Sequence, residues 1–151
     1  NPVNEDIAFY NNVWSSPGGI MIPFSAGRPN ETKGAVLRRN LYWNGGPPVP
    51  RDGGVLEPAD DQQGVNADPR LGPPRDLVLP RWDAAGGRFP SGSKTIRQEF
   101  ERLVNLYGAP RKGSPAIDAA DPANTPADDI LGRKRAESGK PDLGCYELNR
   151  H

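Results

Sequence analysis

Three short apolar runs open the chain, each too brief for a helix and each rich in β-formers. Asp6–Trp14 (DIAFYNNVW) carries Ile7, Phe9, Val13 and Trp14 around an Asn pair. Gly19–Ser25 (GIMIPFS) is interrupted by Pro23, which limits pairing at the centre of a sheet. Gly34–Trp43 (GAVLRRNLYW) resembles the first run: Ala35–Trp43 lies over Ile7–Trp14 with one insertion, and Asn12 and Asn40 fall at matching places. A self-match at a period of roughly 20–50 residues favours stacked units. In that arrangement the two Asn side chains stack at successive bends and satisfy backbone groups there. Two copies leave an antiparallel sandwich with similar strands equally open.

Residues 44–94 are punctuated by Gly45-Gly46-Pro47-Pro48, Gly53-Gly54, Gly72-Pro73-Pro74 and Gly86-Gly87, with Asp76–Leu79 as a short candidate strand. Loops of this length are functional or mobile more often than inert. Thr95–Tyr107 has helical periodicity. Ile96, Phe100, Leu103, Val104 and Tyr107 form one apolar stripe expected to pack on the body, Thr95 and Gln98 suit a capping box, and Gly108 and Pro110 end the helix. The last third is a polar, Pro/Asp-rich connection running to Lys140–Glu147 (KPDLGCYE), which predicts a turn entering a terminal strand. The organisation expected is therefore 1–43, then a turn-rich extension 44–94, then a helix and closing segment 95–151, in one continuous domain.

Composition narrows the class. Hydrophobic residues make up 34% of the 151, and Gly and Pro number 18 each, so the core is thin and the backbone dominated by turns. Charges balance at 19 against 19, leaving no basic field for nucleic acid. No apolar run approaches the ~20 residues of a membrane span. A single cysteine, Cys145, excludes an internal disulfide framework and a Cys-rich zinc site. His151 is the only imidazole, which disfavours Ser-His-Asp and Cys-His catalysis.

Gly113–Asp118 (GSPAID), Asp129–Arg133 (DILGR) and Lys140–Glu147 resemble the C-terminal end of bacterial right-handed parallel β-helix proteins, the pectate-lyase-like superfamily. Asn12-Val13-Trp14 and Asn40–Trp43 resemble that family's coil strands, and Asn66–Leu71 (NADPRL) the segment after the last coil. The resemblance implies an all-β fold: terminal coils of a right-handed parallel β-helix with a loop-rich C-terminal cap containing one α-helix. It implies a secreted or cell-surface protein that binds or degrades polysaccharide, as a lyase or glycoside hydrolase with catalytic residues mostly upstream. The alternative is a non-catalytic structural or adhesive end. A stack of so few coils leaves an open N-terminal edge, to be covered by upstream coils, a second chain or another copy. Cys145 departs from the small residue expected there and is read as a buried small hydrophobe.

Three chemistries fit this setting. Glycoside hydrolysis needs paired carboxylates about 5–10 Å apart. Asp60, Asp61, Asp68, Asp128 and Asp129 supply carboxylates, all in segments where Asp is the ordinary turn residue. Lyase chemistry draws on Arg or Ca²⁺. Arg38 and Arg39 adjoin the Asn40 bend, whereas Asp118, Asp121, Asp128 and Asp129 match no EF-hand spacing, so no metal is assigned. Sugar binding needs aromatic faces, for which Trp14, Tyr42, Trp43 and Trp82 are available, although Trp14 and Trp43 would equally stack on each other in adjacent coils. The carbohydrate-contact candidates are Trp14, Arg38, Arg39 and Trp43, with no cofactor evident.

Overall fold

The computed structural model describes residues 3–23, 31–54, 56–73, 79–135 and 139–148. It consists mostly of short strands and loops, with small parallel sheets and one α-helix among these residues. The chain makes a first pass through β1 (Asn4–Glu5), β2 (Ala8–Tyr10) and β3 (Val13–Ser15). It then repeats the course through β4 (Thr32–Lys33), β5 (Val36–Arg38) and β6 (Leu41–Trp43). Each strand of the second pass pairs in parallel with its counterpart at a constant offset of 28: Asn4 with Thr32, Ala8 with Val36, Val13 with Leu41. A partial third pass adds β7 (Val65–Asn66), with Leu41 opposite Val65.

The bends between strands repeat with the strands. Asp6 and Gly34, 28 residues apart, both have positive φ (56° and 65°), as do Asn11 and Arg39 (59° and 55°) one residue before each ladder Asn. Gln63 takes the same conformation (70°) in the third pass. Asn and Asp enter this region at low cost, and Gly at none.

Because the offset is a constant 28, no residue is inserted between the two passes, contrary to the alignment of Trp14 with Trp43. Trp14 lies opposite Tyr42, and Trp43 lies opposite Ser15. Alternation along a strand then sends Trp43 and Tyr42 to opposite faces, so the two tryptophans do not stack.

The tail encloses one side of this stack. Leu41, Ala116, Ala120 and Leu143 form a buried cluster, with Val13, Trp43 and Val65 packed around it. Small Ala side chains let the irregular tail backbone approach the sheet. Leu143 N donates to Ala116 O at 2.8 Å and Ala120 N to Pro141 O at 2.9 Å. Residues 139–148 form no strand, unlike the terminal strand expected, and buried charge holds them instead. Arg135 donates to the Glu147 carboxylate at 3.0 Å and to the carbonyls of Asp142 and Gly144, and Arg135 and Glu147 are both nearly solvent-free. Glu147 accepts in turn from Asp142 N, and the Asp142 carboxylate accepts from the N–H groups of Asp118 and Leu148. Cys145 is exposed, not buried as expected; its carbonyl, accepting from Ile130 N, is the part that binds the tail together.

The helix α1 (Ile96–Leu103) begins at Thr95, whose hydroxyl accepts from Gln98 N at 3.1 Å. Gln98 reaches back to Lys94 N at 2.8 Å, and a π-turn, Val104–Gly108, extends the helix. The apolar stripe is only partly covered: Phe100, Leu103, Val104 and Tyr107 are half-buried, and the most buried side chain of the helix is a charged one. Ile96 is 80% exposed, while Glu99 is 3% exposed, sealed by Arg102 and Ser91. The candidate strand Asp76–Leu79 lies outside the described residues except for Leu79, which is in no strand.

Candidate functional site

An amide ladder occupies the bend between the second and third strands of each pass. Asn40, fully buried, accepts on Oδ1 from both N and Nδ2 of Asn12, at 2.9 and 3.0 Å. Its own Nδ2 donates to Phe9 O at 3.0 Å and to Asp61 Oδ2 at 2.7 Å. Asp61 Oδ2 also accepts from Asn40 N and from the Tyr42 hydroxyl at 2.9 Å. Burial, first, and then this bond to Asp61 push the Tyr42 phenol up from its ordinary value, so it stays protonated and donates. A carboxylate has no proton to pass on, so the ladder ends chemically at Asp61.

The neighbouring Asn11 ties the tail to the same bend. Its Nδ2 contacts Asp121 O, Asn124 O and Thr125 Oγ1 at 3.0–3.2 Å, and its Oδ1 accepts from Asp121 N at 2.8 Å. Gly144 N donates to Asn11 O at 2.7 Å. Together these segments frame a cleft of about 810 Å³ between Ala8–Trp14 and the tail residues Asn124, Thr125, Asp128, Ile130 and Cys145.

The four carbohydrate-contact candidates do not converge on one face. Trp14 is half-buried, its ring edge-to-face with Phe9 at 6.3 Å. Trp43 points the other way, into the cluster of Leu41, Ala116, Ala120 and Leu143. Arg38 is exposed and Arg39 donates to Gln63 at 2.6 Å. The Asn124 amide first and the Ala123 N–H next hold the Asp121 carboxyl below its ordinary range, and the nearby Arg39 and Arg38 cations add to this.

Each candidate catalytic carboxylate accepts from a local structural donor. Asp60 accepts from Glu57 N, closing a capping box, and Asp68 accepts from Arg70 N. Asp128 pairs with Lys134 at 2.8 Å. Asp129 pairs with Arg133 and accepts from the backbone N–H groups of Leu131, Arg133 and Glu147. Burial pushes the Asp129 carboxyl up, but these partners outweigh it and hold the group below its usual value. Arg133 in turn lies over the Tyr146 ring, 4.3 Å from its centroid. Among the described residues there is no cluster of three His, Cys, Asp or Glu placed to hold a metal ion, and no helix long and apolar enough to cross a membrane.

Among the described residues Trp82 is the most exposed aromatic ring, at 48%, and packs edge-to-face on Phe89 at 5.1 Å. It borders a groove of about 760 Å³ with Ile96, Phe100 and Leu103 on one wall and Lys94 and Thr95 at the rim. The sequence offered the Asn12–Asn40 match and the Trp82 ring, but carried no signal for Asn11 or Asp61 beyond their place in turn-forming segments. No protein-family model matches this chain, and no curated protein matches it.

Proposed function

We propose that this chain is the non-catalytic terminal part of a secreted right-handed parallel β-helix protein. Its tail holds the stacked passes together, and the free edge of its first pass meets a partner polypeptide. The observation that carries the non-catalytic reading is the commitment of every candidate carboxylate to a structural donor, with Asp61 and Asp129 drawn furthest into the fold. The parallel pairing at a fixed 28-residue offset and the amide ladder support the helical stack. A stacked architecture also fits a core so thin that only Leu37, Leu41 and Tyr42 are fully buried hydrophobics within the strands.

The test is to incubate the chain with a panel of neutral and uronate polysaccharides and follow new reducing ends and unsaturated products. Neither should form, and Asp129→Asn should lower Tm without any catalytic consequence. Product formation that Asp129→Asn abolishes would overturn this reading.

A second reading, polysaccharide binding without cleavage, is favoured by Trp82. An exposed indole face beside Lys94 and Thr95 offers the stacking surface and polar rim that a sugar ring uses. Oligosaccharide should change the intrinsic fluorescence, and Trp82→Ala should remove that response. Unaltered saturable binding by Trp82→Ala would move the sugar elsewhere.

A further inference from the structure

The free edge of the first pass is an unfinished copy of the junction below it. In a parallel pair, alternate residues turn their backbone groups to one side. Val36 N donates to Ile7 O, Leu41 N to Asn12 O, and Ser16 N to Trp43 O. Ile7, Asn12 and Ser16 therefore face the second pass, and Ala8, Tyr10, Val13 and Ser15 turn their backbone N–H and C=O groups away from it. No strand pairs on that side among the described residues.

The side chains stop at the same place. Each ladder Oδ accepts both the backbone N–H and the Nδ2–H of the bend residue one pass earlier: Asn12 onto Asn40, and Asn40 onto Asp61. Asn40 spends its second Nδ2–H on Phe9 O, three residues before the bend above. Asn12 makes only the downward half of this set. Among the described residues nothing donates to its Oδ1, and its second Nδ2–H has no acceptor.

The cleft of about 810 Å³ lies along this edge, and the tail residues Asn124, Thr125, Ile130 and Cys145 wall it. Asp61 closes the opposite end of the ladder, so one copy's last pass offers no donor that would continue the ladder onto another copy's first pass.

We propose that this cleft binds an extended polypeptide running parallel to β2 and β3 and carrying a side-chain amide at its bend. Its backbone N–H and amide donate to Asn12 Oδ1, and its backbone pairs with Ala8, Tyr10, Val13 and Ser15. The inference rests on the partner-binding reading above and names the chemistry of that partner.

The probe is a labelled synthetic peptide with the sequence Gly34–Trp43, titrated against the full 151-residue chain by fluorescence anisotropy, with amide exchange followed in parallel. The peptide should bind and slow exchange at Ala8, Tyr10, Val13 and Ser15. The Asn40→Leu peptide should bind roughly five- to tenfold more weakly, since it keeps the backbone donor but loses the one amide bond to Asn12 Oδ1.

Equal affinity of the two peptides, or protection elsewhere, overturns the proposal. So does a chain that already self-associates with those four amides protected, because a two-fold pairing would make the occupant a second, antiparallel copy. Exchange in the free chain separates this failure from that of the underlying reading. If the Leu41 and Val65 amides are unprotected, the parallel stack itself fails. If they are protected and the peptide changes nothing, only the present inference falls.

Discussion

Asn40→Ala is the sharpest perturbation of this fold. The side chain is fully buried and makes four hydrogen bonds: two accepted from Asn12, one donated to Phe9 O and one donated to Asp61. Truncation removes all four and leaves Asn12 N–H and Phe9 C=O without their partner in a half-buried seam. At about 1 kcal/mol net for each bond, and more for a stranded buried group, the loss is about 3–4 kcal/mol. For a chain of this length that lowers Tm by roughly 6–16 °C. Asn12→Ala is the internal control. It loses only the 3.0 Å bond from Nδ2, because the backbone N–H still reaches Asn40 Oδ1, and should cost about 1 kcal/mol.

A third variant tests direction. Asn40→Asp keeps the acceptor for Asn12 but sets a carboxylate where Nδ2 stood 2.7 Å from Asp61 Oδ2. Two carboxylates so close raise the pKa of the pair in the folded state, so the variant loses stability as pH rises and recovers as acid adds the shared proton. Urea and thermal unfolding followed by circular dichroism measure all three. Should Asn12→Ala cost as much as Asn40→Ala, the ladder would not be the element that joins the passes.

Glu99 sets the acid limb of stability. Arg102, and then Ser91, hold its carboxyl down to about 2 against a usual 4.5, so the stabilisation is complete above the unfolded value and drains away as pH falls toward the folded one. Glu99→Gln should flatten Tm against pH across that window, and an unchanged profile would count against the assignment. Gly72→Ala places a Cβ 1.7 Å from Leu106 O, a backbone atom that cannot swing aside, and should cost above about 2 kcal/mol in urea unfolding. Gly108→Ala, whose Cβ meets nothing nearer than Val104 Cγ1 at 3.8 Å, should be tolerated in the same assay. Arg135→Met strands the buried Glu147 carboxylate and should cost about 3–5 kcal/mol. Adding Glu147→Met should restore stability, and a double variant weaker than the single would show that the stranded carboxylate is not what destabilises Arg135→Met.

The parts of this molecule visible in the sequence are those where a side chain does the same job twice. Asn12 and Asn40 each sit at a bend between apolar strands, and the repetition exposed both the stacking and the 28-residue interval. Matching residues by identity misled where physics works by register. Laying Trp14 over Trp43 needs one insertion, which a continuous parallel ladder does not permit, because a slip of one residue turns every side chain to the wrong face. The helix departs from its pattern at Ile96 for a related reason. Its periodicity reports which face is apolar, whereas burial depends on what stands opposite, and here Arg102 and Ser91 seal Glu99 while Ile96 faces solvent.

The tail's internal logic has no period for a pattern to detect. Arg135, Asp142 and Glu147 meet through irregular backbone, each neutralising or bonding groups that the next leaves over. Asp61 shows the same limit. Its sequence neighbours mark a turn, and only the three donors converging on one oxygen reveal a terminator. That asymmetry gives the stack a direction, because an amide both accepts and donates while a carboxylate only accepts. A ladder of amides that ends on a carboxylate has no side-chain donor left to pass on at Asp61, whereas Asn12 keeps an acceptor, so the side-chain ladder runs in one direction even though strands β3 and β7 are both edges.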